Sequence, residues 1–286
     1  MKKYIFTDLA CEAYEKENNS PPLVKEYRRG TNDEILVFDV CIDGKEQEMR
    51  YRRPSGCYRT LQCKKIWSMN EAELSSLRIA VTAELMSMLD IKRSPLTILV
   101  VGLGNPSFTV DALGPSTVKK IHATRHLERE KNKKQSGFSL ATMSPGVLAE
   151  SGMEAVEQVR GVVSAIGADV VLAIDALAAR EYERIGATVQ LSDAGICPGS
   201  GVGNHRLALT QETVGVPVVA IGVPTVVNLS TVFCDALAKG GMDSLTPKMD
   251  AVVSSLRGRF VCPKESDWIV EGVAFLLAEA INRLVE

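Results

Sequence analysis

Two aspartates follow strongly apolar stretches of this sequence. Asp111 lies a few residues beyond "ILVVGLGN" (98–105), and Asp175 closes "VVLAID" (170–175). In open α/β sheets ligands bind outside the carboxyl ends of strands, so both carboxylates are expected at one edge of a sheet. An Asp ending an apolar strand is costly to bury unless it is paired or hydrogen-bonded. Neighbouring carboxylates split their pKa values and share a proton, which lets one act as base and the other as acid. The competing role for each is a helix N-cap, a common post for Asp.

Other motifs are weaker. Gly102 and Gly104, with Asn105 behind them, form a turn that could support Asp111. A dinucleotide fingerprint would need a third glycine where Ser107 stands, and Pro106 interrupts the turn. A Walker loop is absent. The stretch "SDAGICPGSGVGNHR" (192–206) holds four glycines, a density that points to positive φ or close backbone approach. Gly199, Ser200, Gly201, Gly203 and Asn204 are therefore candidate site-supporting residues, with backbone N–H groups available to an oxyanion. Pro198 rules out a nucleophile elbow. Cys197 with His205 is a poor thiol dyad. Asp193, followed by Ala-Gly, is a second-tier carboxylate. His122 and His126 have metal-ligand spacing on an expected helix, but Ala123 replaces the glutamate of H-E-x-x-H, so a charged helix face is the better assignment. No metal and no cofactor is expected.

Composition sets the outer limits. The chain has 286 residues, 45% hydrophobic and 24% charged, with a net charge of −2 and only 5% aromatics. That suits a globular protein with a substantial core. It argues against direct nucleic-acid binding, which needs basic or base-stacking surface. No apolar leader follows Met1, and the longest apolar run, 214–227, is too short and too broken for a bilayer, so a cytoplasmic protein is expected. Seven scattered cysteines without a C-x-x-C pair are expected as thiols.

The elements that must hold the aspartates alternate from about residue 70 onward. Apolar strands are predicted at 96–104, 138–146, 168–176, 187–193 and 216–227, and helices at 70–90, 114–131, 152–167, 229–240 and 267–286. Such strands are buried on both faces, so the sheet should be largely parallel with helices on both sides. Upstream, 34–43 is predicted to pair with "EQEMRYRR" (46–53) across a "DGK" turn. "REKNKKQSG" (129–137) is predicted as a basic loop, and 240–267 as a weakly patterned excursion.

The blocks "VVGLGNPSFTVDALGP", "MSPGVLAESGMEAVEQVRGVV", "VVLAIDALAAR", "GICPGSGVGNHRLAL", "VPVVAIGVPTVV" and "FVCPKESDWIV" resemble, in this order, the germination proteases of spore-forming bacteria. The resemblance implies an endopeptidase that degrades small acid-soluble, DNA-binding spore proteins at germination. It also implies a homotetramer of the forespore and spore core, made as a zymogen, and a three-layer α/β/α sandwich with a mixed, largely parallel sheet, as in hydrogenase-maturation endopeptidases. The proposed catalytic pair of an atypical aspartic peptidase falls on Asp111 and Asp175; the pepsin-type D-T/S-G signature is missing. Arg180 and Arg184 are candidates to read acidic substrate side chains, although exposed helix charge is the commoner role. "TDLACE" (7–12) resembles the family's cleavage motif, Thr-Glu, then Ile or Phe, then Ala-Ser-Glu, cut after the first Glu. It implies self-processing between Asp8 and Leu9, with 1–8 as propeptide and 9–286 as a single peptidase domain; the competing role is a helix start capped by Asp8. The rival functions are a metal-dependent maturation-type endopeptidase and a non-catalytic module binding a small ligand.

Overall fold

The structure, a computed structural model, describes residues 2–14, 23–89, 95–127, 137–197, 207–242 and 244–285. Nine strands are found among them: β1 (Leu23–Arg29), β2 (Ile35–Ile42), β3 (Gly56–Gln62), β4 (Leu96–Gly102), β5 (Phe138–Met143), β6 (Val170–Ala179), β7 (Thr188–Ser192), β8 (Val218–Asn228) and β9 (Phe260–Val261). The longer helices are α1 (Ala10–Tyr14), α2 (Gly44–Tyr51), α3 (Glu71–Met88), α4 (Leu113–Val118), α5 (Ala155–Ile166), α6 (Leu229–Lys239), α7 (Pro247–Ser255) and α8 (Ser266–Asn282).

All nine strands form one sheet in the order β1-β2-β3-β7-β8-β6-β4-β5, with β9 added to the end of β8. Parallel pairing runs through β5, β4, β6 and β8, the half that carries Asp175. The other half, from β1 to β7, pairs antiparallel, and β7 joins β8 antiparallel. The sheet is thus mixed, with parallel pairing confined to one half.

Alternation along each strand sends side chains to opposite faces. Ile98, Val100, Leu172, Ile174 and Ile221 pack with Leu77 and Leu85 of α3 and Val273 and Leu277 of α8 on one face. Leu99, Val101, Val171 and Ala173 pack with Val156, Val159 and Val163 of α5 on the other. Helices therefore cover both faces, giving the expected three-layer α/β/α arrangement. Each such Val, Leu or Ile side chain, when fully buried, contributes about 1.5–3 kcal/mol.

Local signals explain most boundaries. Asn70 closes a capping box with Glu73 at the start of α3. Gly167, with φ of 64°, ends α5 in the left-handed region. Four expectations fail. Residues 46–53 do not form a hairpin strand: Gly44–Tyr51 is helical, rich in Lys, Glu, Gln and Met, and β2 pairs with β1 and β3 instead. The helix after the Asp111 loop stops at Val118, so His122 and His126 share no helix face there. The stretch 240–267 contains α7, capped by Thr246, and β9. Cys41 and Cys57 oppose one another in the β2–β3 register and are joined by a disulfide, against the expectation of thiols throughout. The expected basic loop lies, but for Gly137, outside the described residues.

One buried charge ties the antiparallel half to α3. Glu84 is fully buried and accepts from Arg29 Nε at 2.7 Å, Arg59 Nη1 at 3.0 Å and the Tyr27 hydroxyl at 2.9 Å. Burial and the Glu84 carboxylate push the Tyr27 phenol up to about 12. Removing one member of such a cluster leaves the others desolvated without compensation. Glu84→Ala should therefore destabilise the fold by about 3 kcal/mol, measured as a shift in urea midpoint. A loss below about 1 kcal/mol, the scale of a surface pair, would contradict the role given to this cluster.

Candidate active site

The Asp111 loop is built on close backbone approach. β4 ends at Gly102, where a Cβ would stand 2.3 Å from the Gly114 carbonyl oxygen at the head of α4. Gly104 has φ of +110°, and a Cβ there would stand 1.9 Å from the Asp111 carbonyl oxygen. Only glycine tolerates that combination. The loop thus folds back on itself, and the Asp111 carboxylate accepts from the Asn105 N–H at 2.8 Å. Asp111 closes a 3-10 turn, Thr109–Asp111, that is pinned to β8 by the Thr225 hydroxyl donating to the Val110 carbonyl at 2.7 Å.

Asp175 is not the end of its strand, as expected from sequence. β6 continues to Ala179, because β8 goes on pairing with it after β4 has stopped. Asp175 is nevertheless the first residue beyond the last β4–β6 pair, Gly102 with Ile174. It is buried, and its carboxylate accepts from the Ala176 N–H at 2.9 Å. The two aspartates therefore both stand at the carboxyl end of β4. Asp193 stands elsewhere. It follows β7, which runs opposite to β8, and its carboxylate accepts from the Cys57 N–H at 2.7 Å. Gly199, Ser200, Gly201, Gly203 and Asn204, together with His205, lie outside the described residues.

What sequence did not locate is the seat of the N-terminal segment. Asp175, Gly222 and Gln190 form one register row across β6, β8 and β7. Alternation places Asp175 on the same face as Val171 and Ala173. Residues 7–12 lie over β6 and β7 beside this row. The Asp8 N–H donates to the Ala178 carbonyl at 2.7 Å, and the Asp8 carboxylate accepts from the Ala178 N–H at 2.8 Å. The Gln190 side chain donates from Nε2 to the Asp8 carbonyl at 3.0 Å and accepts from the Ala10 N–H through Oε1 at 2.7 Å. Leu9 is fully buried in the main core. The Arg53 guanidinium donates to the Thr7 carbonyl. A cavity of about 200 Å³ opens beside the segment, lined by Asp8, Arg53, Tyr58, Leu177, Gln190 and Gly222 among others.

Glu12 anchors the far end of the segment. It is buried, accepts from the backbone N–H groups of Arg180 at 2.8 Å and Glu181 at 3.0 Å, and pairs with Arg184 Nε at 3.2 Å. Arg184 is itself buried in a 3-10 turn, Tyr182–Arg184, and Arg180 forms a two-point pair with Asp235 at 2.6 Å. Neither arginine is an exposed helix charge. Among the described residues, the group of metal-type side chains whose ligand atoms come close together is Asp39, Cys41 and Cys57, two of which form the disulfide.

Burial raises the Glu12 carboxyl above its ordinary 4.5, outweighing the Thr7 hydroxyl, the two backbone N–H groups and the Arg184 charge, all of which lower it. A carboxyl raised in the docked state keeps a proton that the undocked segment releases. Its stabilising contribution is present at low pH and is lost as pH rises above 4.5 through the raised value. Hydrogen-exchange protection of the Leu9 and Ala10 amides should fall across that window in the intact chain and become flat in Glu12→Gln. Protection that rises with pH would overturn the assignment.

Comparisons with known proteins give the family. A solved [NiFe] hydrogenase maturation protease, HycI from Thermococcus kodakarensis, covers 68% of this chain and 95% of its own at 20% identity, with a TM-score of 0.35. The germination protease of Clostridium acetobutylicum is 36% identical over 307 aligned residues, spanning 96% of this chain and 93% of that one. That of Clostridium tetani is 41% identical over 239 residues, spanning 81% and 73%. The family model for germination proteases matches residues 8–239, which include both aspartates and Gln190. With a match of that length and relatives of that identity, the chain belongs to the germination protease family and is a protease.

Proposed function

We propose that this chain is the endopeptidase that begins the degradation of small acid-soluble, DNA-binding spore proteins at germination. It is made as a zymogen that cuts itself between Asp8 and Leu9 and works as a homotetramer in the forespore and spore core. Asp111 and Asp175 are its catalytic pair. The observation that carries this reading is the seat of residues 7–12. A segment resembling the substrate motif lies over β6 and β7, with Asp8 bonded to Ala178, three residues along the strand from Asp175.

The chemistry assigned to the pair needs one water. One carboxylate takes a proton from it as its oxygen bonds to the scissile carbonyl carbon. The other protonates the leaving amine as the C–N bond breaks. Two carboxyl groups at one strand end suit this division, since repulsion between them favours a shared proton. The substrate's acidic side chains have counterparts in the docked segment. Asp8 is held by a backbone N–H of β6, and Glu12 by two backbone N–H groups and Arg184. Asp8 is one methylene shorter than the Glu of the substrate motif, which makes the internal site a slow one.

Incubation with a purified small acid-soluble spore protein, followed by mass mapping, tests the substrate. Asp111→Asn and Asp175→Asn should each lower turnover by about 10²–10⁴-fold with little change in thermal midpoint. Near-normal turnover in either variant would exclude the pair. In the same preparations the intact chain should lose its first eight residues on prolonged incubation. Clipping at an equal rate in the double Asp→Asn variant, or activity that rises while Met1 is retained, would exclude self-processing.

A further inference from the structure

We propose that Gln190 is a catalytic residue of this protease: it grips the substrate on both sides of the scissile bond, and its Nε2–H donates to the carbonyl oxygen that becomes the oxyanion. The proposal rests on the reading that Asp8–Leu9 is cut. The geometry of the docked segment supplies the rest. Gln190 meets two backbone groups of the segment. Nε2 donates to the Asp8 carbonyl at 3.0 Å, and Oε1 accepts from the Ala10 N–H at 2.7 Å. The Asp8 carbonyl belongs to the Asp8–Leu9 peptide itself, and Ala10 is the second residue after it. One planar amide therefore fixes the peptide in register and polarises its carbonyl.

The surroundings fit this role. Gln190 is buried, and its backbone is held in β7 between Thr60 of β3 and Gly222 of β8. A donor fixed by a sheet costs little reorganisation when charge develops, and in a water-poor site its hydrogen bond is strong. Gln190 and Asp175 share a register row with only Gly222 between them. Two strand spacings put their Cα atoms about 10 Å apart. Gly222 in the middle leaves its place to Leu177, whose Cδ1 lies 2.4 Å from where a Cβ on Gly222 would stand. The opposite side of Asp8 is held by β6 through Ala178, so its carbonyl is presented across the gap toward β7.

A purely structural role would be to satisfy backbone groups of a buried N-terminal segment. The two roles separate in kinetics. In the donor role, the water oxygen bonds to the carbonyl carbon and the C=O π pair moves onto oxygen, where Nε2–H meets it. Collapse restores the C=O bond and expels the Leu9 amine with its new proton. Loss of the donor then lowers kcat. Loss of a mere anchor raises KM or frees the segment, leaving kcat unchanged.

The test uses the full chain as wild type, Gln190→Ala and Gln190→Glu; the last keeps the shape but loses the Nε2 donor when ionised. Intact mass over time reports cutting at Asp8–Leu9, and kcat and KM are measured on a synthetic peptide spanning residues 7–12 with flanking sequence. Circular dichroism and thermal midpoint report folding, and Gln190→Glu keeps the test open should Gln190→Ala fail to fold. The expected result is a fall of about 10²–10³-fold in kcat, the usual effect of losing one oxyanion donor, with KM within a few-fold. Unchanged kcat in a folded variant, with or without a raised KM, overturns the donor role and leaves the self-processing reading intact. Wild-type protein that never cuts Asp8–Leu9, in its own chain or in the peptide, overturns both.

Discussion

Backbone touching backbone after β4 is the constraint on which the site depends. At Gly102, Gly104 and Gly114 a Cβ would come within 2.5 Å of a carbonyl oxygen on another part of the chain. These contacts draw the loop back over the strand end, set the turn that carries Asp111, and seat α4 on the β4–β6 junction. Any side chain at these places would lift the loop by at least the difference between that distance and a normal contact. The carboxylate held by Asn105 would then leave the carboxyl end of β4. The handedness and alternation of a parallel sheet do the remainder, since β6 places Asp175 one residue past its last pair with β4.

The N-terminal segment is held by a different kind of interaction. It brings two carboxylates, Asp8 and Glu12, into buried surroundings, where uncompensated charge is expensive. Each is met by backbone N–H groups of β6 or the turn after it, and Glu12 also by Arg184. Leu9 between them adds apolar burial of about 2 kcal/mol. The segment is therefore bound as a peptide ligand is bound, by main-chain hydrogen bonds for register and by side-chain pockets for identity. Its attachment points lie on the same strands that carry Asp175 and Gln190. Docking and the proposed chemistry thus share one stretch of sheet.

Much of the framework was legible in the sequence. Continuous apolar runs named β4, β6 and β8, and helical periodicity named α3, α5, α6 and α8, because burial is a local requirement. The errors have local causes too. The segment 46–53 carries helix formers, while the Asp-Gly pair that precedes it is also a hairpin-turn signal, so its local pattern points both ways. β1, "LVKEYRR", was missed because an edge strand half open to solvent carries charge and lacks an apolar pattern. Cys41 and Cys57 gave no signal, since sixteen residues of separation say nothing about a shared register.

By itself the sequence determined the class of fold and the family and singled out two aspartates beside apolar stretches, all properties carried by patterns of neighbouring residues. Only the tertiary structure decided which end of the sheet Asp193 occupies, since strand direction is a matter of pairing. Only the structure gave Arg184 its partner, because Glu12 lies more than 170 positions away in the chain. Gln190 was silent for the same reason. Nothing in "TVQLS" distinguishes a site residue from an ordinary strand glutamine until β7 is laid beside β8 and residues 8–10 are laid across it.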